Sequence, residues 1–126
     1  MHNSARLVTE LTYPRELRLL TPSDFTPVFK NPVVASSPAF TFLAINNNLD
    51  NPRLGLTIAK KRVKKAHARN RIKRLARESY RLSQHQLPNI DVIIMAKNGT
   101  DKLTNEELFK HLNKLWKKIA HRCKTA

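Results

Sequence analysis

The sequence predicts an α+β fold, a short sheet with helices packed on it, in the order helix, three strands, helix, strand, helix. Three observations carry this. Residues 39–59 alternate with period two in two segments separated by an Asn-rich stretch. The period becomes helical from about Ala66. A β-prone run, Ile90 to Ala96, is then followed by a second helix start at Thr104. With 126 residues the chain is one domain by size.

Thr21-Pro22-Ser23-Asp24 opens the first helix. Thr21 suits the cap, Pro22 the first turn, and Asp24 the positive helix end. Phe25, Val28 and Phe29 share a face, and Pro27 predicts a short or bent helix because it removes an amide donor. Val33 to Ser36 reads as a short strand. Ala39 to Asn46 is a strand with Phe40, Phe42 and Ala44 on one side and Thr41, Leu43 and Ile45 on the other. In Arg53 to Ala59, Leu54, Leu56 and Ile58 oppose Arg53, Gly55 and Thr57, and the Asn-rich connection suits a hairpin. Ala68, Ile72, Leu75, Ser79 and Leu82 form the apolar stripe of the second helix, flanked on both sides by arginine and lysine. Ile90 to Ala96 reads as a central strand. Thr104-Asn105-Glu106-Glu107 is a capping box, and Leu108, Leu112, Leu115, Trp116 and Ile119 are the core side of the last helix.

The net charge is +15, from 24 Lys plus Arg against 9 Asp plus Glu. The pI near 10.7 is that of a nucleic-acid-binding domain. Half of the 22 residues from Lys60 to Arg81 are Lys or Arg, with Glu78 as the one acid. A further basic series, Lys110, Lys114, Lys117, Lys118, Arg122 and Lys124, lies in the last helix and beyond. Ordinary solvated faces mix both signs, so the second helix reads as a phosphate-binding surface rather than a charged exterior or a localisation signal.

No apolar run is long enough to span a bilayer, and no membrane partner is expected. The single cysteine, Cys123, points to a reducing cytoplasm and reads as an incidental thiol on a basic tail. The acids are scattered, apart from Glu106 and Glu107 at a helix start, and the five histidines lack zinc-like spacing. The two glycines exclude a phosphate loop. Protein-borne catalysis and a protein-held metal are therefore not expected. Phe25, Phe29, Phe40 and Phe42 have two readings, core packing and stacking on unpaired bases.

The segment Arg53 to Arg77, RLGLTIAKKRVKKAHARNRIKRLAR, resembles the bacterial ribonuclease P protein component. Gly55, the Lys60-Lys61 pair and Arg69-Asn70-Arg71 followed by Ile72-Lys73-Arg74 carry the likeness. Arg15-Glu16-Leu17-Arg18-Leu19, Ser23-Asp24-Phe25, Val28-Phe29-Lys30 and Asp91-Val92-Ile93-Ile94 extend it over roughly residues 12–116. The resemblance implies a two-layer α/β sandwich with a left-handed crossover. It also implies a subunit of the ribonucleoprotein endonuclease that removes the 5′ leader of precursor tRNA, with the active site and magnesium on the RNA. Lys60, Lys61, Lys64, Lys65, Arg69, Asn70, Arg71, Lys73, Arg74 and Arg77 would contact the catalytic RNA. Phe25, Phe29 and Arg53 would line a cleft for the single-stranded leader. Its floor would be completed by Phe40 or Phe42, or by Leu43. The chain is then a core over residues 12–120, with a mobile tail at 1–11 and a basic tail at 121–126. A ribosomal-type RNA-binding protein and a protein-only nuclease are the rival readings.

Overall fold

The structure, a computed structural model, describes residues 17–125. The tail assigned to residues 1–11, and the Arg15-Glu16 part of the family likeness, lie outside the described residues. The elements are α1 (Pro22–Phe29), β1 (Val33–Ser36), β2 (Phe40–Asn46), β3 (Arg53–Thr57), α2 (Ala66–Ser83), β4 (Ile90–Ala96) and α3 (Asn105–Thr125). This is the predicted order.

Pro27 stays inside α1, and the helix ends two residues later, at Phe29. Asn31 then adopts a positive φ of 67°, which Asn tolerates better than most residues, and turns the chain into β1. The Thr104 capping box forms: Glu107 Oε1 accepts the Thr104 amide at 2.9 Å, and Thr104 Oγ1 accepts the Glu107 amide at 3.1 Å.

The strand order is β1-β2-β4-β3. The expected β2–β3 hairpin does not form. β4 lies between the two strands, antiparallel to β2 and parallel to β3, with Ile45 and Arg53 both opposite Asp91. The reason is the apolarity of β4, which is buried at every position but Met95. A strand buried on both faces needs a hydrogen-bonding neighbour on each edge, and a β2–β3 hairpin would leave one of its edges open. Parallel pairing requires a crossover, which α2 supplies.

Strand alternation then makes two cores. Phe40, Phe42, Ala44, Leu54, Val92 and Ile94 face α2 and α3. Trp116 fills the centre of this layer, edge-on to Phe42 at 4.7 Å, with its indole N–H on Ser79 Oγ at 2.9 Å. Leu43 and Ile93 face the other way and pack with Leu19 and Val28. The body is thus the predicted sandwich, with α1 lying on part of the outer sheet face.

Two expectations are corrected. Leu82 is exposed (57%) because the buried stripe of α2 ends on Ser79 and Tyr80. Tyr80 reaches the Pro52 carbonyl at 2.8 Å, which anchors the start of β3 to the helix layer. Cys123 is not on a tail: α3 continues to Thr125, and Cys123 is buried in the main core. Burial pushes its thiol pKa up, away from the reactive thiolate.

Candidate nucleic-acid interface

The outer sheet face builds the first part of the site. Arg53 sits where α1, β3 and β4 meet. Its guanidinium forks onto Asp91, with Nε to Oδ1 at 2.9 Å and Nη2 to Oδ2 at 2.8 Å. Asn47 donates to the same Oδ1 at 2.8 Å, so one buried carboxylate ties the ends of β2 and β3 across β4. Arg53 Nη1 also lies 3.8 Å from Asp24 Oδ1 at the head of α1. Asp24 Oδ2 accepts the amides of Leu20 and Thr21 at 2.9 and 3.0 Å. These amides hold the Asp24 carboxyl below its ordinary range. Arg53, expected to meet the leader, is therefore occupied with seating α1 on the sheet.

With α1 so placed, Phe25 lies over Gly55. A Cβ at Gly55 would come within 2.7 Å of the Phe25 ring, so glycine is needed here for the close approach. Phe29, one turn on, is 49% exposed. Phe40 and Phe42 are both fully buried on the opposite face. Their expected place in the cleft is corrected by strand parity: Thr41, Leu43 and Ile45 are the β2 residues on the α1 side. On that face Leu43 packs beside half-buried Ile45 and Met95.

Two hollows mark this region. One, of about 630 Å³, lies along the β3 edge between Leu19, Leu20, Phe25 and Gly55 and the α2 cations Lys73 and Arg77. The other, of about 520 Å³, is floored by Thr41 and Met95 and rimmed by Arg62, Lys97 and Asn98.

The crossover and α2 make the second part. Lys60, Lys61, Lys64, Lys65, Asn70, Arg74 and Arg77 are exposed, and Lys73 is half-buried. The two arginines of the Arg-Asn-Arg block are half-buried and partly committed. Arg69 Nη1 donates to the Val63 and Lys64 carbonyls at 3.0 and 2.8 Å, closing the crossover loop onto the helix. Arg71 donates to Asn105 Oδ1 at 2.7 Å and to the Asp101 and Leu103 carbonyls at 3.1 and 3.0 Å, joining α2 to the head of α3. Both shape the cationic surface as well as charging it.

The model of the Ribonuclease P family matches residues 13–120 of this chain. The chain belongs to the ribonuclease P protein family. The ribonuclease P protein component of Pseudoalteromonas atlantica is 61% identical over 114 residues, covering 90% of this chain and 95% of that protein. That of Haemophilus influenzae is 57% identical over 111 residues, covering 88% and 93%. Among solved structures, the ribonuclease P protein of Staphylococcus aureus aligns with a TM-score of 0.77 at 26% identity, covering 82% of this chain and 97% of that one. The Thermotoga maritima protein aligns at 0.72 and 27% identity, covering 81% and 96%.

Sequence reasoning did not find the Asp91–Arg53–Asn47 cluster or the Arg62–Lys97 rim. Asp91 left a signal, since it is one acid in an otherwise apolar strand, and a buried carboxylate needs a cationic partner. Lys97 left none, because only the sheet order brings it near the crossover. Among the described residues, no helix is long and apolar enough to cross a membrane.

Proposed function

We propose that this chain is the protein subunit of ribonuclease P and that it assists the catalytic RNA in removing the 5′ leader of precursor tRNA. Family membership carries the coarser statement, a subunit of a ribonucleoprotein endoribonuclease engaged in tRNA 5′ processing. The finer reading assigns the cations of the crossover and α2 to the RNA subunit, with Lys73 and Arg77, which border the cleft, placed where the two RNAs meet. It assigns the cleft between α1 and the sheet to the single-stranded leader.

The observation that carries it is the hollow along β3. Phe25 forms one wall and Lys73 and Arg77 the other. A strand in that hollow has a ring to stack on and cations for its backbone, the combination that holds single-stranded RNA without strong sequence choice. Phe29 extends the aromatic side. The duplex acceptor stem keeps its bases paired and stacked, so the cleft discriminates by the single-stranded leader.

The protein supplies no reacting group in this reading. Asp24 and Asp91, the acids nearest the cleft, spend their oxygens on Arg53, Asn47 and two backbone amides. The RNA would hold the magnesium that the reaction uses, while the protein's cations screen repulsion between the two RNAs. The test is cleavage of 5′-labelled precursor tRNA by the bacterial catalytic RNA at low magnesium, with and without the protein, beside a protein-alone control. Cleavage at the mature 5′ end should need both components. Cleavage by the protein alone would establish a protein-only nuclease instead. Phe29→Ala should weaken binding of leader-bearing tRNA about tenfold, in line with the loss of ~1–3 kcal/mol for one stacked base, and leave mature tRNA unchanged. Equal losses for both RNAs would remove the leader cleft.

A further inference from the structure

The last helix carries charge that the proposed function does not use. Lys110, Lys114, Lys117, His121 and Lys124 follow one another at spacings of four and three residues, and all are exposed. That spacing is a single straight row along the outside of α3. After Glu107 the helix contains no acid. Lys114, Lys117 and Lys124 make no ion pair with any described residue. A solvated helix face ordinarily alternates signs, because like charges three and four residues apart repel. Here the neighbours of Lys114 and Lys117 three and four residues away are lysines, histidines or uncharged residues, so no acid of the helix offsets the row.

The row is also long. At ~1.5 Å per residue, Lys110 to Lys124 spans about 21 Å. This length suits a rod-like polyanion better than a single small anion. Beside the row lies a hollow of about 430 Å³ between α3 and the end of α2, lined by Ser83, Gln86, Leu87 and Asn113 as well as Lys117 and Lys124. Its uncharged polar lining adds donors and acceptors next to the cations.

We infer that the outer face of α3 is a second RNA-backbone contact, made by Lys114, Lys117 and Lys124 and separate from the α2–crossover surface. This rests on the RNA-binding reading of the family and extends it to a helix that the Arg-Asn-Arg signature does not include. The partner chemistry is an RNA phosphodiester backbone in a helical stretch, read through charge and not through bases.

The experiment measures binding of the full chain to the bacterial ribonuclease P RNA over a series of salt concentrations. Four proteins are compared: the wild type, K114Q/K117Q/K124Q, K64Q/R74Q on the crossover and α2, and the combination of all five changes. Circular dichroism melts check that each is folded. The α3 variant should flatten the slope of log K against log salt by about 2 to 3, near 0.7–0.9 for each phosphate no longer neutralised. The reduction should add to that of the crossover variant, because two surfaces touching different phosphates act independently. An unchanged slope for the α3 variant beside a flattened one for the crossover variant would overturn the α3 contact and leave the proposed function standing. A wild type with no salt-dependent RNA binding would overturn both. Anionic phosphatidylglycerol vesicles are the competing probe. Binding to them that depends on the three lysines, with an unchanged RNA slope, would reassign the row to a lipid surface.

Discussion

Gly55 illustrates how one missing side chain positions a neighbouring ring. The Phe25 ring occupies the space that a Cβ would take, and such a Cβ would also lie 3.2 Å from Leu19 Cβ. Gly55→Ala should push the ring outward and cost about 1–3 kcal/mol, as small-to-large changes in packed sites do. The protein should still fold, and its preference for leader-bearing over mature tRNA should shrink. An unchanged preference, measured by competition binding, would show that Phe25 does not contact the leader. Asp24 acts at the same scale through its charge. Its carboxyl is held below the ordinary range by the amides of Leu20 and Thr21. A depressed pKa in the folded state contributes stability that is present above the unfolded value of about 4 and is lost as pH falls through the folded value. Urea unfolding followed by the fluorescence of Trp116, the one tryptophan, should therefore show a loss that begins as pH falls below about 5 and continues on further acidification. Asp24→Asn should be weaker at about pH 6 and lose less on acidification. Parallel pH profiles for the two proteins would exclude this role.

At the scale of the element, α2 divides its arginines between those hydrogen-bonded within the fold and those left exposed. Arg71 joins the helix to the segment 101–105 through three hydrogen bonds, whereas Arg74 is exposed. Arg71→Ala should cost about 1–2 kcal/mol of stability, since it removes hydrogen bonds from a charged donor. Arg74→Ala should change stability by no more than about 0.5 kcal/mol, as at an ordinary surface position, and flatten the RNA-binding salt slope by about 0.7–0.9. The pair of denaturation and salt-titration curves separates the two roles. Equal stability losses would mean that Arg74 also holds the fold. The helix α1 shows the same division: its first turn is fixed by Asp24 and Arg53, and its last turn leaves Phe29 exposed.

For the whole molecule, β4 is the organising element. It pairs with β2 and β3, buries both faces, and carries the carboxylate that ties its neighbours together. Asp91→Ala should cost about 3 kcal/mol, the low end for breaking a buried pair because Arg53 keeps some solvent. The loss should appear as a single cooperative shift of the Trp116 transition. A change well below about 1 kcal/mol would mean that the sheet order does not depend on this cluster. The charge of +15 acts at this scale too: it attracts polyanions over the whole surface.

The order of elements, the α+β class, the amphipathic faces of α2 and α3, and the concentration of cations after Lys60 were all legible in the amino-acid order, because they depend on spacing along one element. The Arg-Asn-Arg segment and its surroundings were enough to indicate the family. That Phe25 and Phe29 share one face of α1 was legible from their spacing. Tertiary structure alone decided the rest. Whether Phe42 or Leu43 meets the cleft depends on which face of β2 the helices cover, and alternation leaves both choices open when both faces are apolar. Whether β2 and β3 form a hairpin depends on β4, which lies more than thirty residues further along the chain. The partners of Arg53, Arg69 and Arg71 follow from packing between elements. A guanidinium can serve a protein carbonyl, a carboxylate or a phosphate equally well, and only the folded geometry determines which of them is within reach.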